Sequence, residues 1–104
     1  MACLAVACGV LSPEEQLLTD FFEASRLYDT TVMARLSAMP FNPRTDGIVD
    51  SFAVERLDRV GERSRVTVAA QLRSFDGRIA PRQLVFTLTR RDGRWFIQEW
   101  RGAP

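Results

Sequence analysis

The sequence predicts an α+β domain: an N-terminal helix pair packed on one face of a curved antiparallel sheet of about four strands, forming a cone-like roll. Three observations predict it. Apolar residues recur every ~3.6 positions ahead of Pro40 and every second position after Gly47. The breakers Asn42, Pro43, Asp46 and Gly47 gather at the junction between the two halves. Asp76-Gly77 and Asp92-Gly93 punctuate the second half, and the latter, set between alternating runs, is a strong hairpin signal.

Each element follows from its residues. Ser12-Pro13-Glu14-Glu15 opens a helix: Ser12 caps, Pro13 suits the first position, Glu15 completes an S-x-x-E box, and both acids favour the positive helix end. Leu17, Leu18, Phe21, Phe22, Ala24 and Tyr28 then form an apolar stripe, opposite Glu15, Thr19, Glu23 and Arg26, so the helix runs to Leu27. Asp29 caps a second, short helix through Val32, Met33 and Leu36, which stops near Pro40 because the residue before a proline avoids helical geometry. Phe41 to Gly47 is a loop. In the strands, Val66, Val68, Ala70 and Leu72 alternate with polar neighbours, as do Leu84, Phe86 and Leu88, then Trp95 and Ile97. The stretch from Ile48 to Val60 is less regular. Ile48, Phe52 and Val54 share one parity and Leu57 has the other, which predicts a bulge near Glu55-Arg56.

Composition removes whole classes of chemistry. The chain has 104 residues, enough for one small domain, and its net charge is +1. It contains no histidine, and all of its basic residues are arginine. Arginine stays protonated and cannot shuttle protons. Ser-His-Asp and Cys-His catalysis, histidine-ligated metals, lysine Schiff bases and the lysine-tipped phosphate loop are therefore excluded. No metal or cofactor is expected. The balanced charge gives no case for nucleic acid, which requires a clustered basic surface.

Residues 1–11, MACLAVACGVL, stand apart from a single domain over 12–104. They carry no charge and hold both cysteines, Cys3 and Cys8. Leu4-Ala5-Val6-Ala7 followed by Cys8-Gly9 resembles the tail of a bacterial lipoprotein signal, which implies lipidation of Cys8, a membrane contact through that anchor alone, and an envelope location. The stretch departs from the pattern in lacking a basic start and in being shorter than a signal core of about 7–15 residues. Otherwise it is an apolar lead-in on a cytoplasmic protein.

The helix pair with Asp29 at its junction, and the terminal run Leu84 to Arg90, Arg91-Asp92-Gly93-Arg94-Trp95, then Phe96-Ile97-Gln98-Glu99, resemble the nuclear transport factor 2-like superfamily. The resemblance covers Pro13 to Arg101; a cystatin-like roll is the rival architecture. It implies a pocket between the long helix and one sheet face, lined here by Phe21, Tyr28, Trp95, Ile97 and Glu99. By analogy with the superfamily's isomerases, Glu99 would serve as acid or base, Tyr28 as donor, and Asp50 as the aspartate near the first strand. Strand parity places Glu99 with Trp95 and Ile97, where a dry site would raise a carboxyl's pKa. The plainer roles are a solvated strand end for Glu99, a rim residue for Tyr28 and a surface acid for Asp50. Phe96 and Trp100 share the opposite parity, and with Phe75 they point to a covered outer face and a homodimer through it. The arginines that alternate along the strands read the other way, as a solvated outer face whose stems cover apolar surface. The expected function is non-enzymatic binding of a small apolar ligand or a protein partner; an isomerase- or cyclase-like enzyme is the alternative.

Overall fold

The computed structural model describes residues 11–39 and 41–102, so the lipidation reading at Cys8 lies outside the described residues. Helix α1 (Pro13–Arg26) begins where the capping residues predict: Ser12 Oγ accepts the Glu15 N–H at 3.1 Å. Its apolar stripe, from Leu17 to Ala24, is buried. The helix ends with the Tyr28 N–H on the Ser25 carbonyl (3.1 Å) and the Asp29 N–H on the Ala24 carbonyl (2.8 Å). This is the Schellman arrangement, whose left-handed residue is usually glycine; here Tyr28 takes it, at φ 58°. Asp29 then caps α2 (Thr30–Leu36) by accepting the Val32 N–H at 3.1 Å.

The sequence predicts only loop from Phe41 to Gly47, but a single turn, α3 (Pro43–Asp46), forms within it. Asp46 closes it locally: its carboxylate accepts the Asn42 N–H and its own N–H donates to the Asn42 carbonyl, each at 2.7 Å. Gly47 follows at φ 90°, and a Cβ there would lie 3.3 Å from the Arg73 carbonyl oxygen. A side chain at this joint would be both strained and crowded.

Four strands follow as an antiparallel meander: β1 (Ile48–Val60), β2 (Arg63–Arg73), β3 (Ile79–Arg91) and β4 (Arg94–Gly102), in the spatial order β1-β2-β3-β4. Asp92 and Gly93 both have positive φ (52° and 78°), as a two-residue type I′ hairpin requires. The sheet is open and the helices lie on one face. Three extra residues interrupt its ladders. In β1, Val54 pairs with Val68 and Arg56 with Thr67, leaving Glu55 out where the broken parity predicts a bulge. Val49 pairs with Leu72 and Ser51 with Gln71, so Asp50 is a second, unexpected one. It turns Val49, rather than Ile48, toward the helices. In β4, Leu88 pairs with Ile97 and Thr87 with Glu99, leaving out Gln98.

One core lies between the layers. Phe21, Phe41 and Phe86 are fully or almost fully buried with Leu18, Val66, Val68, Leu84, Leu88 and Ile97. Phe22 sits edge-on to Phe52 (5.0 Å) and Phe86 (5.6 Å), and Phe41 lies 6.0 Å from Phe21. Burying a side chain of this size contributes about 1.5–3 kcal/mol, so this aromatic cluster is what seats α1 on the sheet. Strands β1 and β4 form the edges. The segment after α2 covers part of the β4 edge, with the Ala38 N–H on the Ile97 carbonyl at 2.9 Å and a parallel bridge from Ser37. Among the described residues no helix is long and apolar enough to cross a membrane.

Candidate functional site

An open groove of about 570 Å³ lies between the C-terminal half of α1, α2 and the start of β4. Its apolar lining is Ala24 from α1 and Leu27 just beyond it, Val32 and Leu36 from α2, and Trp95 and Phe96 from β4. Local chemistry explains why these side chains meet. The Schellman turn ends α1 and the Asp29 cap opens α2 within three residues, Leu27 to Asp29, so α2 starts beside the end of α1. The type I′ turn sets Arg91 opposite Arg94, and Trp95 opposite Arg90, at the end of the sheet. Leu27 is left 67% exposed at the groove mouth, an apolar side chain with no packing role to explain it.

Trp95 is held by charge. The guanidinium carbons of Arg59 and Arg90 lie 5.2 and 5.8 Å from its ring centroid, within cation–π range. Arg90 in turn forks onto Glu62 at 2.6 and 2.8 Å, which draws the Glu62 carboxyl below its ordinary range. Arg59 forks onto Glu14, with Nε 2.6 Å from Oε2. Glu14 is fully buried. Burial pushes its carboxyl up, but the hydrogen bonds from Arg59 and from its own backbone N–H, with the Arg59 charge, hold it below the usual carboxylate range. The Ser64 hydroxyl, buried beside it without a partner of good hydrogen-bond geometry, pulls in the same direction. The sequence gives little sign of this: an acid in the first turn of a helix is normally solvated.

The residues proposed as a catalytic set do not come together. The extra residue Gln98 reverses parity in β4, so Glu99 pairs with Thr87 on the outer face and is exposed. Trp100 takes the inward position opposite Phe86, its ring 4.9 Å from Phe41. Tyr28, expected to end the apolar stripe, lies beyond the helix in the left-handed position and is 53% exposed. Asp50 is the extra residue of a bulge and accepts from Arg73 Nε at 3.1 Å, so its charge is already matched. Of the predicted pocket residues, only Trp95 lines the groove; Phe21 and Ile97 are sealed in the core.

The aromatic argument for a covered outer face also changes. Trp100 faces the core, Phe75 lies in the β2–β3 turn, and of the three only Phe96 keeps outer-face parity, beneath Arg91 at 4.9 Å on the edge strand, where it also borders the groove. The strand arginines divide between the faces, since Arg59, Arg82 and Arg90 stand opposite Ser64, Ala70 and Trp95 on the helix side. Among the described residues no group of three or more metal-ligating side chains comes together.

No family model and no curated sequence matches this chain. Solved structures do. A nuclear transport factor 2-like protein of unknown function from Shewanella oneidensis superposes with a TM-score of 0.66 at 13% identity, over 88% of this chain and 97% of the other. A second, from Shewanella baltica and also of unknown function, gives 0.54 at 16% identity, over 86% and 90%. At such identities the likeness is one of fold.

Proposed function

We propose that this domain, with its nuclear transport factor 2-like fold, is a non-enzymatic binding module. It takes the apolar part of a small ligand, or an apolar side chain of a protein partner, into the groove between α1, α2 and the β3–β4 hairpin. The observation that carries the reading is the groove itself. Its volume falls within the ~300–1,000 Å³ typical of small-molecule sites, and exposed Leu27 extends its apolar floor to the mouth. The competing isomerase-like reading needs Glu99 and Tyr28 around one enclosed space, and they stand on different sides of the molecule's surface layers: the outer sheet face and the end of α1.

The test is binding of a neutral apolar dye such as Nile red to the wild type and to Leu27→Glu. Leu27 follows the last helical residue and is not part of the core, so the variant folds. A charge at the groove mouth is expected to weaken dye binding by about tenfold or more, equivalent to ~1.4 kcal/mol. Equal affinity for both proteins would exclude the groove as the site.

We further propose that Cys8 tethers the domain to a bacterial envelope, a reading supported by Leu4-Ala5-Val6-Ala7-Cys8-Gly9. Detergent-phase partition of the precursor is expected to be lost in Cys8→Ser, and equal partition of the two would remove the tether.

A further inference from the structure

We infer that the ligand of this groove is a single-chain amphiphile with one negative charge, a fatty-acid-like carboxylate. Its head lies on Arg94 and Arg35, and its chain runs over Val32, Leu36 and Trp95. This rests on the groove reading above and adds the class of ligand.

The charge inventory of the lining is the first argument. Three acids (Asp20, Glu23, Asp29) and three arginines (Arg35, Arg91, Arg94) border the groove. The acids are committed: Glu23 to Arg26, which lies outside the lining, Asp29 to the Val32 N–H, and Asp20 to the Gln16 amide at 3.0 Å. Of the arginines, Arg91 donates to Gln98 at 2.9 Å and covers Phe96. Arg35 and Arg94 are exposed, and among the described residues neither side chain has an ion pair or a hydrogen bond. The lining itself is balanced, but with Glu23 paired to Arg26 just outside it, two acids face three arginines across the groove. That difference suits a monoanion and disfavours a dianion such as a phosphate monoester.

The placement of the charges is the second argument. Asp20 and Glu23 stand on the α1 wall and repel a carboxylate, whereas Arg35 on α2 and Arg94 at the hairpin attract it. The guanidinium fork matches a carboxylate's two oxygens. The chain is then left the contiguous apolar floor, where Trp95 is kept in place by Arg59 and Arg90.

The experiment is calorimetric titration with decanoate and with 1-decanol, the same chain without the charge, both below their aggregation limits. Proteins compared are the wild type, the double variant Arg35→Gln/Arg94→Gln, and an outer-face control, Arg63→Gln/Arg65→Gln. Decanoate is expected to bind the wild type and the control about tenfold tighter than decanol, as charge-assisted hydrogen bonds allow. In R35Q/R94Q, decanoate should fall to the decanol level while decanol is unchanged. A wild type that binds both equally overturns the anionic head and leaves the groove reading standing. A preference that survives in R35Q/R94Q overturns the assignment to these two arginines. Binding of neither probe removes the groove reading and this inference with it.

Discussion

At its N-terminal end α1 is capped by Ser12 and tied to β1 by Glu14, a buried carboxylate in the grip of Arg59. At its C-terminal end the same helix runs out into an exposed Leu27 and a Tyr28 held in left-handed geometry, with Arg35 and Arg94 nearby, whose side chains have no partner among the described residues. One end commits its charges to holding the helix on the sheet. The other leaves apolar surface and guanidinium groups free, and that is where the groove lies. A small domain with a single core can keep an open, partly apolar site at one end because its anchorage is concentrated at the other.

The sharpest way to break this contrast is Arg59→Met, which leaves the Glu14 carboxylate buried without its counter-charge. Removing one partner of a buried pair costs about 3–5 kcal/mol, and the partly open side of Arg59, where water screens the pair, puts the loss at the lower end. Chemical denaturation measures it. Glu14→Leu/Arg59→Met should recover most of the loss, because an apolar pair no longer strands a charge. If R59M is as stable as the wild type, the two helix ends do not differ as described.

Acid titration sharpens the same comparison. The folded state holds the Glu14 carboxyl below its ordinary value, so the pair's contribution is complete above the unfolded-state pKa. It is lost as pH falls through the folded value. The exposed Glu62 and Asp76 carboxyls, lowered by Arg90 and by Ser74 respectively, act in the same direction and window but are screened by salt. In R59M burial acts on Glu14 with less opposition, so the acid transition should begin at higher pH. Stability measured from pH 7 to pH 3 in both proteins checks the shift.

Smaller effects separate the caps at the two ends. Ser12→Ala should cost about 1 kcal/mol, since the Glu15 N–H loses its acceptor. Tyr28→Gly should do the reverse, raising stability by up to ~1 kcal/mol as the left-handed residue loses its steric penalty. Thermal melts that move down for the first and up for the second, with Nile red affinity unchanged by either, would place both outside the groove's binding contacts.

Much of this architecture was legible in the sequence, and the failures share a cause. The change of apolar period, the Ser12 and Asp29 caps and the Asp92-Gly93 turn report local backbone preferences, which survive into the fold. Side-chain orientation along a strand is different, because alternation holds only while the ladder is unbroken. One extra residue at Gln98 reversed Glu99 and Trp100, and one at Asp50 exchanged Ile48 for Val49. Neither position has a composition that marks a bulge, whereas at Glu55 the apolar residues on both sides revealed one. A signal for the first was present: a tryptophan at 100 on a supposedly wet face is better explained by reversed parity than by a partner. The groove was only partly legible, since it depends on how two helix ends and a hairpin meet. The burial of Glu14 was not legible at all, because Arg59, its partner, is distant in the chain and lies on a strand edge.

The interruptions in β1 have a further consequence. This strand is a long edge of the sheet that no described residue pairs with on its outer side, and a straight border of exposed amides is a template on which copies of a chain can stack into fibrils. The bulges at Asp50 and Glu55 cut it into Ser51–Val54 and Arg56–Val60, each shorter than the roughly six-residue segments that form steric zippers. The second piece also carries Arg56, Asp58 and Arg59. Residues that look like irregularities of pairing are thus expected to disfavour self-templated stacking along this edge.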